Sequence, residues 1–277
     1  MSWSLLKTYL ARNRPSAGIQ AIPGISSVDD LRDYIAGKGC YEREENLRIF
    51  EENFARGPRY HFQALAHKYH FTAMPACDAG CGFGDNLIYC HPDSYGIEVE
   101  PYYHAFVASL GLRVYRRDLI ADDLADLPKV DVALCMDVLE HLDSPHVALR
   151  KLWGLLNPGG LLMVAVPTIP PIPGMARIPR IGRSFQGFLH SDHINAFTPE
   201  TLRFSCERAG FETLSVSALY PIEFLNRVPF IRRLISHCIY VGRKRDTWDY
   251  SRRASRRISE NSSGYVSVGQ PWPRLGR

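Results

Sequence analysis

The sequence predicts an α/β fold: a doubly wound, Rossmann-like sheet of seven strands with an antiparallel last strand and a helical N-terminal extension. A glycine-rich turn follows an apolar run at 74–78, and short apolar runs alternate with helix-like segments as far as residue 243. Residues 130–136 have the continuous apolar character of a strand that is buried on both faces. Strands that alternate with helices through right-handed crossovers form a doubly wound sheet, and its ligand crevice lies at the carboxyl ends of the strands.

Each element has its own local signal. Strands are predicted at 74–78, 94–98, 112–115, 130–136, 160–166, 212–218 and 236–242. A helix is predicted at 145–156, and the Asn-Pro-Gly-Gly sequence after it predicts a turn. Upstream of the sheet, helices are predicted at 28–36, 42–55 and 59–69, the first with a capping sequence at Ser27. Aromatic residues are dense in this upstream part, where they either cover the site or pack on the sheet.

The glycine-rich turn is the most informative segment for function. Residues 78–84 are Asp-Ala-Gly-Cys-Gly-Phe-Gly, and glycine at alternate positions lets the backbone turn sharply and approach a ligand. A helix opening at Asp85 is expected to point its free N–H groups at the same place. A dinucleotide-binding fingerprint, G-x-G-x-x-G, would require its third glycine at position 85, where this chain has Asp85. The carboxylate of Asp78 suits a positively charged ligand, and S-adenosylmethionine carries an ammonium and a sulfonium; the alternative is an ordinary strand-to-helix turn.

Acidic residues also end the next two predicted strands. Glu98 lies eighteen residues after Gly80, close to the spacing at which an acid holds a ribose diol. Glu100 is a competing candidate because it lies two residues further on the same strand face, but Pro101 predicts that a helix begins just after it. Asp118 follows the third predicted strand in the same way.

Five segments in order resemble the class I S-adenosylmethionine-dependent methyltransferases. The segments are DAGCGFGDN (78–86), GIEVEP (96–101), DVLEHLDSP (137–145), LLNPGGLLMVAVPT (155–168) and HINAFTPETLRFSCERAGF (193–211). They span roughly residues 70–243 and are most similar to the small-molecule branch that includes the ubiquinone-biosynthesis O-methyltransferases. The resemblance implies that the cofactor is S-adenosyl-L-methionine.

The resemblance also implies a role for individual residues. The methionine part of the cofactor would lie against Asp78, Gly80, Cys81, Gly82 and Gly84. Glu98 would hold both ribose hydroxyls, Asp118 and Leu119 would contact the adenine, and Met136 and Asp137 would lie near the sulfonium.

Methyl transfer requires alignment of the acceptor, the methyl group and the sulfur, and an oxygen acceptor can need a general base. Histidine is the usual choice for this role. His193 is the first candidate because it begins the HINAFTP segment, which lies beside the substrate in the family, and His141 is the second; Asp192 is able to orient either ring. The alternative is that these histidines only pack or position. No metal site is predicted, because Cys77 and Cys81 do not have the C-x₂-C spacing of a zinc site.

Two insertions are expected to determine the acceptor. The proline-bearing segment 168–190 carries Arg177, Arg180 and Arg183, which could grip a phosphate or carboxylate. The segment 220–234 is apolar with a basic end, which leaves open a lid, a membrane-surface helix or a homodimer contact.

Composition agrees with a cytoplasmic location. The 277 residues are 45% hydrophobic and 22% charged, without an apolar run of membrane-spanning length or the pattern of a secretory signal. Seven scattered cysteines form no disulfide framework and are expected to be reduced. The predicted organisation is a helical extension and cofactor cover at 1–70, a methyltransferase domain at 71–243, and a basic, disordered tail at 244–277.

The function predicted from these features is methyl transfer to a small molecule, at oxygen, with a polar or anionic acceptor such as a sugar. One alternative is a lipid-like or quinone acceptor reached through peripheral membrane contact. Another is a non-catalytic scaffold that binds the cofactor. Nucleic acid is not an expected partner, because the residues after the fourth predicted strand, 137–140, do not form the Asn/Asp-Pro-Pro-Tyr motif of amino-methylating enzymes.

Overall fold

The fold is described from a computed structural model, which covers residues 19–37, 48–54, 60–169, 192–217 and 237–246. The strands are β1 Ala76–Ala79, β2 Tyr95–Glu98, β3 Val114–Arg116, β4 Val130–Met136, β5 Leu156–Pro167, β6 Phe211–Ser217 and β7 His237–Lys244. The helices of the described part are α1 Val28–Gly37, α2 Tyr60–Tyr69, α3 Pro101–Ser109, α4 Pro145–Leu155 and α5 Pro199–Arg208.

The strands form one mixed sheet in the order β3-β2-β1-β4-β5-β7-β6. Strands β1 to β5 pair in parallel, whereas β7 runs antiparallel between β5 and β6. The predicted fold class and the antiparallel last strand are therefore confirmed. Pro167 at the end of β5 pairs with His237 at the start of β7, so β7 begins at the edge where the parallel strands end.

Apolar side chains cover both faces of the sheet. In β4, Val132 and Leu134 belong to one buried cluster, and Ala133 and Cys135 belong to the other. The first cluster includes the buried residues of α1, α2 and α3, and the second includes those of α4 and α5. This alternation in a continuous apolar run is what a strand buried on both faces requires.

The upstream aromatic residues of the described part mostly pack. Phe54 and Phe62 are buried in the first cluster, with Phe54 against Phe106 of α3 and Phe62 edge-on to Phe71. Of the helix predicted at 42–55, residues 48–54 are described and end in a π-helical turn at Phe50–Phe54; the rest lies outside the described residues. His61 of α2 stacks on the imidazole of His237, and this contact is described with the site.

Two local predictions are wrong. The glycine turn does not open an α-helix at Asp85, since only a 3₁₀ turn forms at Leu87–Tyr89. Pro92 follows closely, and helical backbone is sterically disfavoured for the residue before a proline. The chain therefore turns into β2 instead. Residues 157–160 are not a separate turn, because β5 begins at Leu156 and its pairing with β4 shifts register across them.

No helix among the described residues is long and apolar enough to cross a membrane. The six described cysteines are buried, and none of them forms a disulfide. Their burial agrees with the structural role predicted for them.

Candidate functional site

The glycine turn is packed on one side and open on the other. The amide N–H groups of Gly80 and Cys81 both donate to the carbonyl oxygen of Ile97, at 2.8 and 3.2 Å, which ties the turn to β2. Gly80 and Gly82 have φ angles of 72° and 54°, in the left-handed region that favours glycine. A Cβ on Gly80 would lie 2.5 Å from Cγ2 of Val138, whereas a Cβ on Gly82 would meet no atom of the described residues within 4 Å. A ligand can therefore approach the backbone at Gly82.

Glu98 places a buried carboxylate beside this opening. Its side chain is 7% exposed, and its Oε2 accepts a hydrogen bond of 2.8 Å from the N–H of Gly82. Its Oε1 accepts a hydrogen bond of 2.9 Å from the N–H of Glu100. Since a carboxylate offers about four acceptor sites, the two oxygens keep capacity for two ligand hydroxyls. Glu100, the competing candidate, is exposed.

Asp118 shapes the loop that follows β3. Its Oδ1 accepts hydrogen bonds from the N–H groups of Ile120 and Ala121, at 2.6 and 3.1 Å. These backbone hydrogen bonds, first that of Ile120, lower the pKa of Asp118 from its ordinary value. Lys151 of α4 holds the same loop by donating from Nζ to the carbonyl oxygens of Ile120 and Asp122. Leu119 is buried beneath the loop, so the loop has a fixed shape at the carboxyl edge of β3.

Asp137, directly after β4, has an unusual backbone. Its φ of 57° lies in the left-handed region, which is uncommon outside glycine and concentrates at functional sites. Its N–H donates to the carbonyl oxygen of Ala165 at 2.9 Å, which anchors it to the end of β5. Its Oδ1 lies 2.8 Å from Nε2 of His237, the first residue of β7. Met136 precedes it and is buried.

His237 and His61 lie beside Asp137, and the sequence analysis did not identify them as candidates. Their imidazole rings stack in parallel, with centroids 4.9 Å apart and an interplanar angle of 0°. One signal for His237 was available in the sequence. The predicted antiparallel strand has to begin where its parallel neighbours end, so its first residue falls at the ligand edge. His61 had no such signal, because its place depends on how α2 packs.

The two predicted catalytic histidines lie together next to Glu140. The rings of His141 and His193 meet edge to face, with centroids 4.6 Å apart. Nδ1 of His141 lies 3.1 Å from the carbonyl oxygen of Asp192, so Asp192 contacts this ring through its backbone. The N–H groups of Ile194 and Asn195 donate to the carbonyl oxygen of Glu140, both at 2.9 Å, which holds the HINAFTP segment against the end of β4.

Glu140 itself is almost completely buried, with 1% of its surface exposed. Its Oε2 has no hydrogen-bond partner among the described residues. Burial, followed by the charge of Asp137, raises the pKa of Glu140 to about 7. The carboxyl is therefore poised between its neutral and charged forms close to neutral pH.

Among the described residues, two groups of three side chains bring potential metal-ligating atoms within 4.8 Å of one another. They are His61, Asp137 and His237, and Glu140, His141 and His193. An imidazole lone pair lies in the plane of its ring, so two histidines bind one ion only where their ring planes intersect. The parallel stack of His61 on His237 does not meet this condition. The absence of a metal stays a prediction.

Part of the predicted acceptor site lies outside the described residues. This applies to Arg177, Arg180 and Arg183 in the segment 168–190, and to most of the segment 220–234. The remaining predicted residues lie at one edge of the sheet, the carboxyl ends of β1 to β4, with His141 and His193 beyond β4.

This sheet order, with an open glycine turn beside an acid at the end of β2, defines a class I S-adenosylmethionine-dependent methyltransferase fold. A family described as a methyltransferase domain matches residues 49–216. The chain belongs to this family, and it is an S-adenosylmethionine-dependent methyltransferase. The closer resemblance to the ubiquinone-biosynthesis O-methyltransferases stays a prediction.

Solved structures agree with this fold. A methyltransferase dependent on S-adenosylmethionine from Archaeoglobus fulgidus matches with a TM-score of 0.50 and 18% identity, over 71% of this chain and 99% of its own. An O-methyltransferase family protein from Burkholderia thailandensis matches with a TM-score of 0.51 and 13% identity, over 79% of this chain and 61% of its own. At these identities the likeness shows the fold alone. A search of curated proteins finds no match to the chain.

The residues at the glycine turn fit S-adenosylmethionine. The open side of Gly82 leaves room for a ligand, and the buried carboxylate of Glu98 lies directly beside it with acceptor capacity for a ribose diol. Asp78, the acid that suits a cationic ligand, is buried at the end of β1.

Proposed function

We propose that the chain transfers the methyl group of S-adenosylmethionine to an oxygen atom of a small polar or anionic molecule, such as a sugar. The observation that supports this proposal is the polar lining beyond the end of β4. Two groups of titratable side chains lie there, His61 with Asp137 and His237, and Glu140 with His141 and His193. Such a lining suits an acceptor that forms hydrogen bonds better than a lipid-like acceptor, which would cover these polar side chains without offering hydrogen bonds to them.

When bound, S-adenosylmethionine supplies an activated methyl group on a positively charged sulfur. The protein has to orient the two reactants and exclude water. Glu98 binds the ribose hydroxyls, the loop at Asp118 and Leu119 holds the adenine, and the glycine turn with Asp78 receives the methionine part. Met136 and Asp137 line the side near the sulfur.

The acceptor lies next to Asp137 in this proposal. His193 and His141 border that region and remain candidates to bind or deprotonate the acceptor. Arg177, Arg180 and Arg183 are proposed to grip an anionic group of the acceptor, on the basis of their place in the insertion after β5. We propose a cytoplasmic location on the basis of the cysteine usage alone.

The proposal is tested with S-adenosylmethionine that carries a radiolabelled methyl group. The full chain is incubated with a small-molecule extract of the source cells, separated into polar and lipid fractions. We expect label to appear in the polar fraction, in a product whose methyl group resists mild acid as an ether does. Label in the lipid fraction would instead support the quinone-like alternative, and label in neither fraction would contradict the proposal.

Two asparagine variants provide the matched control for this assay. Gly82 and Gly24 both have positive φ angles, 54° and 80°, and in the part of the chain that the structure describes a Cβ at either would meet nothing within 4 Å. Asparagine tolerates this backbone region better than other residues, so both variants are expected to fold. Gly82→Asn places a side chain where the cofactor approaches and is expected to abolish transfer, whereas Gly24→Asn keeps it. Equal activity of the two variants would show that the open side of Gly82 is not the cofactor site.

A further inference from the structure

The first residue of β7 lies in the crevice because the strand is antiparallel. His237 pairs with Pro167 at the carboxyl end of β5, and the carboxylate of Asp137 reaches it from the end of β4. About a quarter of each side chain remains exposed, 27% for His237 and 25% for Asp137. The pair is therefore held by the sheet and still accessible to a small molecule.

The contact between Asp137 and His237 bears on which ring nitrogen accepts a proton. Oδ1 of Asp137 lies 2.8 Å from Nε2 of His237, although the two atoms are not aligned as in a hydrogen bond. Because a carboxylate oxygen and an unprotonated ring nitrogen repel each other at this distance, we expect Nε2 to carry the hydrogen. In the neutral ring the lone pair then resides on Nδ1. A carboxylate in this position also stabilises the imidazolium that forms when Nδ1 takes up a proton.

The backbone at Asp137 also holds this pair in place. Asp137 has a left-handed conformation, which aspartate tolerates better than most residues, and its N–H donates to the carbonyl oxygen of Ala165. The parallel ring of His61 covers one face of the His237 imidazole. The ring of His237 is therefore restrained at its Nε2 edge by Asp137 and on one face by His61.

His141 is held differently. Its Nδ1 faces the backbone carbonyl of Asp192, and a carbonyl fixes a ring without carrying the charge that stabilises an imidazolium. The ring of His141 is also exposed. Of these two histidines, His237 has the surroundings of a general base.

We propose that His237 is the general base for the acceptor and that Asp137 is the residue that positions it; this rests on the proposed function. The O–H bond of the acceptor breaks, its proton forms an N–H bond with Nδ1 of His237, and the electron pair stays on oxygen. The acceptor oxygen forms the new C–O bond, and the electrons of the broken C–S bond remain on sulfur. The imidazolium returns its proton to solvent after the product leaves.

The position of the hydrogen on His237 is measured first, because it requires no acceptor. Nitrogen-15 NMR of the full chain with S-adenosylhomocysteine, at about pH 8 where an ordinary histidine is neutral, distinguishes the two tautomers. We expect Nε2–H in the wild-type protein and a shift toward Nδ1–H in Asp137→Asn, since the amide of Asn can donate to Nε2. Asparagine also tolerates the left-handed backbone at this position. A wild-type ring with its hydrogen on Nδ1 would overturn the proposal.

Rates of labelled methyl transfer into the active extract fraction provide the second measurement. His237→Gln is expected to lower kcat by about 100-fold or more, the usual contribution of a general base, and to leave KM within about threefold. Asp137→Asn is expected to lower kcat in the same direction. His67→Gln, an exposed histidine on α2, is the control and is expected to keep the wild-type kcat.

The outcomes separate this proposal from the proposed function. If His237→Gln transfers label as fast as the wild-type protein does, then His237 is not the general base. The methyltransferase proposal is left intact by that result. Loss of wild-type transfer on chelation, with recovery on addition of Mg²⁺, Mn²⁺ or Zn²⁺, also overturns the role of His237 as the base, because the pair would then act through an ion. A wild-type chain that transfers no label overturns both.

Discussion

Glu98 joins two parts of the site through its two carboxylate oxygens. One oxygen holds the glycine turn at Gly82, and the other holds the backbone at Glu100, where α3 is about to begin. The same carboxylate that is predicted to bind the ribose therefore also fixes the turn that receives the rest of the cofactor. Cofactor binding and the shape of the glycine turn are therefore both expected to depend on the side chain of Glu98.

Replacement of Glu98 by glutamine should weaken S-adenosylmethionine binding by about 1.5–3 kcal/mol, roughly 10-fold to 150-fold in Kd. Glutamine has nearly the same shape, but its NH₂ group cannot accept hydrogen bonds, so one backbone N–H loses its acceptor and the ribose hydroxyls lose a charged one. Titration calorimetry measures the change. Glu100→Gln removes the same charge at an exposed position two residues away and should bind normally; a reversal of the two results would assign the ribose to Glu100.

Helix α4 supports the loop that follows β3. Lys151 donates to two carbonyl oxygens of that loop, Ile120 and Asp122, both at 2.5 Å. The side chain of Asp118 caps two N–H groups from within the loop. The predicted adenine contact is thus shaped by a lysine that is distant in sequence.

Lys151→Met should weaken cofactor binding about 3-fold to 10-fold, because methionine keeps the apolar stem and removes both hydrogen bonds to the loop. The control is Lys129→Met, which removes a hydrogen bond of 2.7 Å from Nζ to the carbonyl oxygen of Gly154, away from the loop. Cofactor affinity by calorimetry and exchange of the amide hydrogens of 118–122 would be compared in both variants. Faster exchange in Lys151→Met alone is expected, and unchanged exchange would show that the loop keeps its shape without the lysine.

Glu140 makes the folding stability of the protein depend on pH. Its pKa is raised from 4.5 to about 7 by burial and by the charge of Asp137, so the folded state keeps a proton that the unfolded state releases. The free energy of unfolding should therefore fall as pH rises from about 4.5 to about 7, by about 3 kcal/mol in all, and then stop changing from this cause.

Glu140→Gln should remove this dependence. Urea unfolding at several pH values across that range would measure the difference between the variant and the wild-type protein, which should grow in favour of the variant as pH rises. Burial of the amide in the variant changes the free energy of unfolding by an amount that does not depend on pH. It therefore does not affect how the difference between the two proteins varies with pH. Glu212→Gln replaces an exposed carboxyl and serves as the control. A difference that does not vary with pH would mean that Glu140 is charged in the folded protein.

Much of the fold was predictable because its signals are local. A continuous apolar run predicted β4, and Pro101 predicted the start of α3. The failed helix at Asp85 shows the limit of such signals, since the glycine turn resembles a helix start while Pro92 stops the helix. The pairing of Asp137 with His237 was not predictable from either segment, because a residue 100 positions away is brought in by the strand order.

The direction of β7 also determines where residues 243–246 lie. Because β7 starts beside the site, its other end at Arg243 and Lys244 lies beside the amino-terminal parts of β5 and β6. Arg245 donates to the carbonyl oxygen of Gly210, and Asp246 accepts from the N–H of Gly159, so both residues are held at that far edge. A peptide tag or a fluorescent reporter inserted directly after Asp246 would therefore begin on the side of the sheet remote from the reacting groups. Immobilisation through such an insertion should leave the crevice facing solvent.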